Sequence, residues 1–547
     1  MIYILTISFF WFIRQIKSVL FWVFLWQLKE YHIGRFIDHF RTEKGKRIVF
    51  AKPLILKLIL LFLFLVSTGY GILYKSFSLS ILTWLVLILY FLESCKFLYD
   101  LFKRKLKKPV FTKKTIFLIF SIFTFQLLYF LLYFFTNTHL LVLNLLIFDV
   151  LTPFIVSGII LITQPLAVLM RNTIIKKAKI RRAQFKNLIA IGITGSYGKT
   201  ATKEFLFEIL SEKLKVFKTK EHQNSEIGIS QCILEGLRKD YEVFIAEMGA
   251  YNRGGIKLLC DIVKPKIGIL TGINEQHLAT FGSLENIKKG KYELIESLPK
   301  DGMAIFNGNN KYCEDLYFKT NISKRISYSQ FPEGIKENIS YDVWAEDVKI
   351  EKECITFKIF SKDGDSAYFK VNLLGAQNIE NILLAVCCAK ELGMSLKEIS
   401  KACEKIKQTQ GGMKLFKTRG DINIIDATYS ANPNGVISHL EYLKIWEGKK
   451  IIVMPCLIEL GKASKEVHKR IGEKIAKVCD LAIIVAKECF SIIQKSSTLK
   501  GMKKENILFL EDPREIVGKI KEFCKPGDIV LLEGRIPKEI TALLKIN

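Results

Sequence analysis

Several patterns that would settle a function are missing from this chain. No C-x-x-C pair or regular spacing organises its twelve cysteines, so they read as reduced thiols in apolar surroundings, as in a reducing compartment. No repeat of roughly 20 to 50 residues recurs, which excludes a solenoid. The Leu-Ser-Gly-Gly-Gln signature of ABC-type transporters is absent, which argues against a transporter driven by nucleotide. Acidic residues are missing from Arg171 to Lys186, and long apolar runs stop near Met170. No small-residue cleavage site follows the apolar part of Ile2 to Trp26, so that segment does not read as a removable signal peptide.

What is present divides the 547 residues unevenly. Four stretches approach the roughly 20 apolar residues that span a bilayer. They are Leu54 to Leu73, Phe77 to Phe91, Thr115 to Phe135 and Leu140 to Leu161, the second being short enough to extend at one end. Ile2 to Trp26 is interrupted by Arg14, Gln15 and Lys17, and reads as a fifth span or an interfacial helix. Lys96 to Lys114 and Arg171 to Lys186 are strongly basic, whereas the connections near Lys75 and at Thr136 to His139 carry little charge. The positive-inside rule then puts both basic segments, and everything after Arg171, in the cytoplasm of a multi-pass inner-membrane protein. Much of the +28 formal charge clusters beside these helices, where anionic lipid accounts for it, so nucleic acid is not an expected partner. Asp149, near Pro153 in the last span, is a functional candidate if buried. It is merely interfacial if the helix ends early.

The soluble part opens on an apolar run from Leu188 that leads into Thr194, Gly195, Ser196, Tyr197, Gly198, Lys199 and Thr200. Glycines let backbone N–H groups converge on phosphate oxygens, the lysine adds a point charge, and the threonine hydroxyl suits Mg²⁺. Ile193 stands where the longer P-loop pattern has its first glycine, so the match is G-x-x-G-K-T. Phe205, Leu206, Ile209 and Leu210 then share one helical face, and a helix N-terminus favours anions. A strand over Val243 to Ala246 delivers Glu247 at its end, where open α/β sheets bind ligands. A strand over Ile267 to Leu270 precedes Asn274, Glu275 and His277; Lys291 and Glu293 fall on the next helix, and Ala304 to Phe306 runs into Asn307. Alternation from Asp342 to Leu374 predicts a strand-rich lobe, and Gly411 and Gly412 a hinge. Strands at Ile422 to Ile425, Ile451 to Met454, Leu481 to Val485 and Ile529 to Leu532 then alternate with helical patterns, predicting a second parallel, Rossmann-like sheet.

These residues in this order resemble the Mur ligase family of ATP-dependent amide ligases. The resemblance rests on Thr194 to Thr200, Asn224 to Gly228, Glu247 to Ala250, His277 with Phe281 to Ser283, Lys291 to Glu293, Asn307 to Asn310, Asn378 to Asn381, Tyr429 to Pro433 and Glu459 to Gly461. It implies an α/β fold with a P-loop ATPase domain over 187–411 and a Rossmann-like domain over 412–547, preceded by an all-α transmembrane region over 1–186. It further implies ATP and Mg²⁺. Lys199 would hold phosphates, with Gly195 to Thr200 as the nucleotide loop. Thr200, Glu247, His277 and a carbamylated Lys291 would serve the metal ions. Asn307 would meet adenine, and Lys414 and Asp426 would stand at further nucleotide-binding positions. The chain departs from the family in five places. The uridine-nucleotide-binding N-terminal domain is replaced by the membrane segment, the usual His is Gln377, and the usual Arg is Lys414. Paired aspartates become Asp426 and Ala427, and a Lys-Gly-Ser-Arg-like segment reads Glu533-Gly-Arg-Ile536. The implied activity is addition of an amino acid or dipeptide to a cell-envelope precursor through an acyl phosphate, at a membrane carrying a lipid-linked substrate or a partner enzyme. A glutamyl-polymer or folate-like acceptor is the alternative within the class, and a non-catalytic ATP-binding scaffold the alternative outside it.

Overall fold

The computed structural model describes residues 2–546 apart from positions 30, 42, 71–76, 135–137, 222, 330–339, 409–410 and 430. The chain divides into two compact units, Met1–Met170 and Arg171–Asn547.

The described residues of the first unit are helical apart from short connections, and five helices are long and apolar enough to cross a membrane. They are Ile2–Leu28, Lys52–Tyr70, Phe77–Phe102, Lys113–Phe134 and Thr138–Ile162. The first runs unbroken for 27 residues because its polar interruptions find partners. Arg14 Nε donates to Glu93 at 2.8 Å, Gln15 Nε2 to Asp149 at 3.0 Å and Lys17 Nζ to Asp100 at 2.7 Å. The third corrects the predicted boundary: it continues past Phe91 to Phe102, so the basic segment begins at Lys103 rather than Lys96. The apolar run resumes at Phe97, Leu98 and Leu101, and the charge of Asp100 is taken up by Lys17. The connection near Lys75 and positions 136–137 lie outside the described residues. Trp11, Phe64, Val86, Tyr90, Leu145 and Phe148 pack inward, while Phe62, Trp84, Phe120, Leu132 and Phe154 stay exposed. An apolar surface of that extent suits a solvent of lipid rather than water.

In the second unit, nine strands form one sheet in the order β2-β3-β1-β4-β5-β6-β7-β8-β9. They are β1 Ile189–Thr194, β2 Val216–Lys218, β3 Val243–Glu247, β4 Ile267–Leu270, β5 Met303–Asn307, β6 Ser323–Ser329, β7 Val343–Ile350, β8 Ile355–Ser361 and β9 Ser366–Val371. Pairing is parallel from β2 through β7 and antiparallel from β7 to β9. The strand-rich stretch expected after Asp342 forms β7 to β9 and extends this same sheet, because Ser327 on β6 pairs with Val343 on β7. Both faces are covered, as a parallel sheet requires. Ile191, Ile193, Val243 and Ile245 pack under helices Lys199–Leu210 and Gln377–Glu391. Ala190, Phe244 and Ala246 pack on the opposite side against Leu294 and Ile256.

The second sheet has six strands: β10 Lys414–Lys417, β11 Asn423–Ala427, β12 Lys450–Met454, β13 Leu481–Ile484, β14 Ile507–Phe509 and β15 Ile529–Glu533. Their order is β10-β11-β15-β12-β13-β14, parallel except for the edge strand β10. Helix Pro433–Leu443 follows β11, started by Asn432, whose side chain accepts from the Gly435 N–H, with Pro433 in the first turn. One cysteine expectation needs correction. Eight of the ten free cysteines are buried, but Cys456 and Cys489 are disulfide-bonded. The end of β12 and the first turn of helix Lys487–Leu499 bring their Cα atoms to 5.6 Å, within the range a disulfide bridges.

Candidate active site

The P-loop joins β1 to helix Lys199–Leu210 and owes its shape to close approach. A Cβ at Gly195 would lie 2.1 Å from Thr271 Oγ1. Gly198 has φ 79°, and a Cβ there would meet Asn381 Oδ1 at 2.4 Å. The Ser196 N–H donates to the Gly272 carbonyl at 2.7 Å, and Ser196 Oγ accepts from the Asn274 N–H at 3.2 Å. The Tyr197 hydroxyl accepts from Asn310 Nδ2 at 3.1 Å, and burial, assisted by Glu380, pushes its pKa well up. Lys199 Nζ donates to a neutral acceptor, the Gly195 carbonyl, at 2.7 Å. Burial lowers the Lys199 pKa, opposed by Glu247.

Glu247, at the end of β3, is the anionic centre. Its carboxylate accepts from Thr200 Oγ1 and Asn224 Nδ2, each at 3.0 Å, and lies 3.3 Å from Lys203 Nζ. Burial alone would raise its pKa, but Lys203, Lys199 and these hydrogen bonds hold it low. Lys203 is fully buried on the same helix as Lys199. The sequence reading missed it; a lysine one turn after the P-loop lysine, on an otherwise apolar face, is the signal that was available.

His277 and Lys291 come from the loop after β4 and from helix Leu284–Glu296. Ser283 caps that helix by accepting from the Asn286 N–H at 3.1 Å. His277 Nδ1 lies 2.6 Å from Glu459 Oε2, and the Ala279 N–H donates to the Glu459 carbonyl at 3.1 Å. The two sheets are thus clasped beside the site. Burial lowers the His277 pKa against the pull of Glu459, with Lys291 and Lys199 lowering it further, so the imidazole is neutral at neutral pH. Lys291 is 1 % exposed, with Nζ 3.3 Å from the Ala250 carbonyl. Burial, then the nearby Lys199, lowers its pKa to about 7. Glu293, two residues on, accepts from the Gly254 and Lys257 N–H groups and so caps the helix Gly255–Val263.

A cleft of about 770 Å³ joins the two sheets and is lined by Ser196 to Thr200, Glu247, Lys414 and the first turns of helix Pro433–Leu443. Asn274 Nδ2, in the loop after β4, donates to Asn434 Oδ1 of helix Pro433–Leu443 at 2.9 Å. Asn307 is buried and donates to the Thr271 carbonyl at 2.8 Å and to Glu380 at 2.7 Å. Asp426 lies outside the cleft lining, and its carboxylate accepts from the Thr428 N–H and Oγ1 at 3.1 and 2.6 Å.

A phosphate-binding loop, a carboxylate held by hydroxyl and amide donors, and a second parallel sheet closing over them define a nucleotide-dependent enzyme. The Mur ligase middle domain matches residues 193–389, and the Mur ligase glutamate ligase domain matches residues 412–536. The chain belongs to the Mur ligase family and is an ATP-dependent ligase. It is 25 % identical over 382 residues to the UDP-N-acetylmuramoyl-tripeptide–D-alanyl-D-alanine ligase of Bacillus subtilis (strain 168), covering 69 % of this chain and 80 % of that one. The crystal structure of MurF from Acinetobacter baumannii superimposes with a TM-score of 0.60 at 25 % identity, covering 68 % of this chain and 80 % of that one. MurF ligase from Thermotoga maritima in complex with ADP gives 0.58 at 25 % identity, over 68 % and 84 %.

Proposed function

We propose that this protein is a membrane-anchored ligase that joins D-alanyl-D-alanine to a muramoyl-peptide precursor through an acyl phosphate, at the cytoplasmic face of the inner membrane. The observation that carries the reading is the charge arrangement of the cleft. Lys199 and Glu247 line the same cleft, Lys203 sits between Glu204 and Glu247 and neutralises them, and Lys199, bonded to a backbone carbonyl, is left to meet a polyphosphate and the anion made when a substrate carboxylate attacks it. Lys199 would hold the phosphates, and the backbone of Gly195 to Thr200 would wrap them. Lys414 would add charge from β10. Asn307 would face the adenine. Asp426 would join nucleotide binding only after its carboxylate leaves Thr428.

Mg²⁺ fits the donor set, because Thr200 and Glu247 offer hard oxygen ligands and His277 is a neutral imidazole. It would neutralise charge on the transferred phosphoryl group. Lys291, neutral above about pH 7, is the form that takes up CO₂, and a carbamate there would turn a repelling cation into an orienting anion. Glu459 orients His277 through Nδ1 and leaves Nε2 free to act.

The division into residues 1–186, 187–411 and 412–547 assigns the first part to the membrane. Five spans exceed what an anchor needs, which supports a lipid-linked acceptor or a membrane partner that presents it. The test uses the full chain in lipid with ATP, D-alanyl-D-alanine and either the soluble nucleotide precursor or its lipid-linked counterpart. Ligation with preference for the lipid-linked acceptor is expected. Equal use of the soluble precursor would end the membrane part of the reading, and no ligation with either would end the substrate assignment.

A further inference from the structure

His439 lies outside the motifs of the family resemblance, and its partner Glu533 stands where the chain departs from one of them. That resemblance expects a second aspartate at position 427 and a lysine at 533, where this chain has Ala427 and Glu533. Ala427 on β11 is the direct parallel partner of Glu533 on β15. The carboxylate missing from β11 therefore reappears one strand over, and the missing cation is replaced by an imidazole from helix Pro433–Leu443. Glu533 is fully buried, with Oε2 2.7 Å from His439 Nδ1 and Oε1 without a hydrogen-bond partner. A carboxylate buried so deeply is costly unless paired. Its partner His439 lines the same cleft as Lys199, Thr200 and Glu247.

A buried carboxylate on Nδ1 fixes both the ring orientation and the tautomer, leaving the Nε2 lone pair as acceptor. Within the cleft, Glu247 is occupied by three donors, Glu380 by Asn307, and Lys199 and Lys414 are cations. Of the elements packed on this helix, β15 brings Glu533. Helix Ser464–Val478 brings Lys474, paired with Glu441, and Arg470, paired with Glu275. His439 is an imidazole lining the cleft, and imidazole is the side-chain type suited to proton transfer near neutrality.

We propose that His439, oriented by Glu533, is the base that deprotonates the incoming amine; this rests on the acyl-phosphate reading above. The amine arrives as an ammonium with no free electron pair. Nε2 takes one proton, the freed nitrogen pair forms the C–N bond to the acyl carbon, and the C–O bond breaks with its electrons leaving on phosphate. The second nitrogen proton goes to the departing phosphate, and His439 returns the first to water. Glu533 acts through His439 as a positioning residue.

Hydroxylamine separates the steps, because it is already unprotonated at neutral pH and traps an acyl phosphate without a base. The full chain in detergent is assayed with ATP and acceptor, using D-alanyl-D-alanine or hydroxylamine, from mildly acidic to alkaline pH. His439→Gln is expected to lower the ratio of dipeptide to hydroxylamine turnover about a hundredfold at neutral pH, with recovery at alkaline pH. Glu533→Gln is expected to lower dipeptide turnover more than hydroxylamine turnover, since the ring loses the carboxylate that orients it. If His439→Gln melts because it strands Glu533, the double variant H439Q/E533Q carries no buried charge and should give the same ratio. An equal loss with both acceptors, or a pH profile parallel to the parent's, would overturn the proposal. Failure of the parent protein to form hydroxamate would overturn the acyl-phosphate reading, and this inference with it.

Discussion

The two units bury lysines in opposite ways. In the helical unit, Lys57 is 2 % exposed and lies 2.6 Å from Glu93 and 2.9 Å from Asp149. Arg14 pairs with the same two carboxylates. Gln15 donates to Asp149 and in turn accepts from Gln126 at 3.0 Å and Thr152 at 3.1 Å. Two cations meet two anions, and the network closes on itself. In the ligase unit, Lys203 pairs with Glu204 and Glu247, whereas among the described residues Lys199 and Lys291 donate to backbone carbonyls. The closed network fastens helices, whereas the open one leaves positive charge to be completed by an anion. Burial of charge alone therefore does not mark a ligand site; the unpaired remainder does.

Three experiments would break or sharpen this contrast. Lys199→Ala is expected to reduce ligation about a thousandfold. Because Lys199 donates to a backbone carbonyl and Lys203 remains beside Glu247, the variant's melting temperature should stay close to the parent's. A variant with near-parental turnover would remove the phosphate role.

Asp149→Ala should do the reverse, destabilising the helical unit by about 3 kcal/mol because Arg14 and Lys57 lose their second anion. Combining it with Lys57→Met should recover part of that loss, read as the coupling in a double-mutant cycle of detergent unfolding. Additive losses would show that the network is not closed.

The smallest effect is a pH dependence. The Lys291 pKa is lowered from 10.5 to about 7, so the ammonium form prevails below that value and cannot carry a carbamate. Ligase activity at fixed CO₂ should rise as pH increases through about 7. Lys291→Ala should lose this limb and regain part of its activity with a short-chain carboxylate. An unchanged limb in the alanine variant would assign it to another group.

The legible features were those written in contiguous residues. Gly195, Gly198, Lys199 and Thr200 predict their loop because backbone geometry and chemistry reside in one short segment. The run from Thr115 announced its helix by composition alone. Glu247 was readable because a buried strand ends on it. Lys57, by contrast, carried no signal within the run from Leu54, because its partners Glu93 and Asp149 sit on other helices. His439 carried no signal at all, since Glu533 lies 94 positions away. The strands expected from Asp342 to Leu374 form, but the edge they join was not readable, because alternation reveals a strand and not its neighbour.

By itself, then, the sequence determined the apolar helices, the phosphate loop, and the alternation of strand and helix that makes both sheets, because each depends on neighbours within a few residues. Only the tertiary structure decided which buried charges are neutralised and which are not. That outcome depends on distances between side chains brought together from separate elements, and electrostatic energy in a low-dielectric interior is set by those distances.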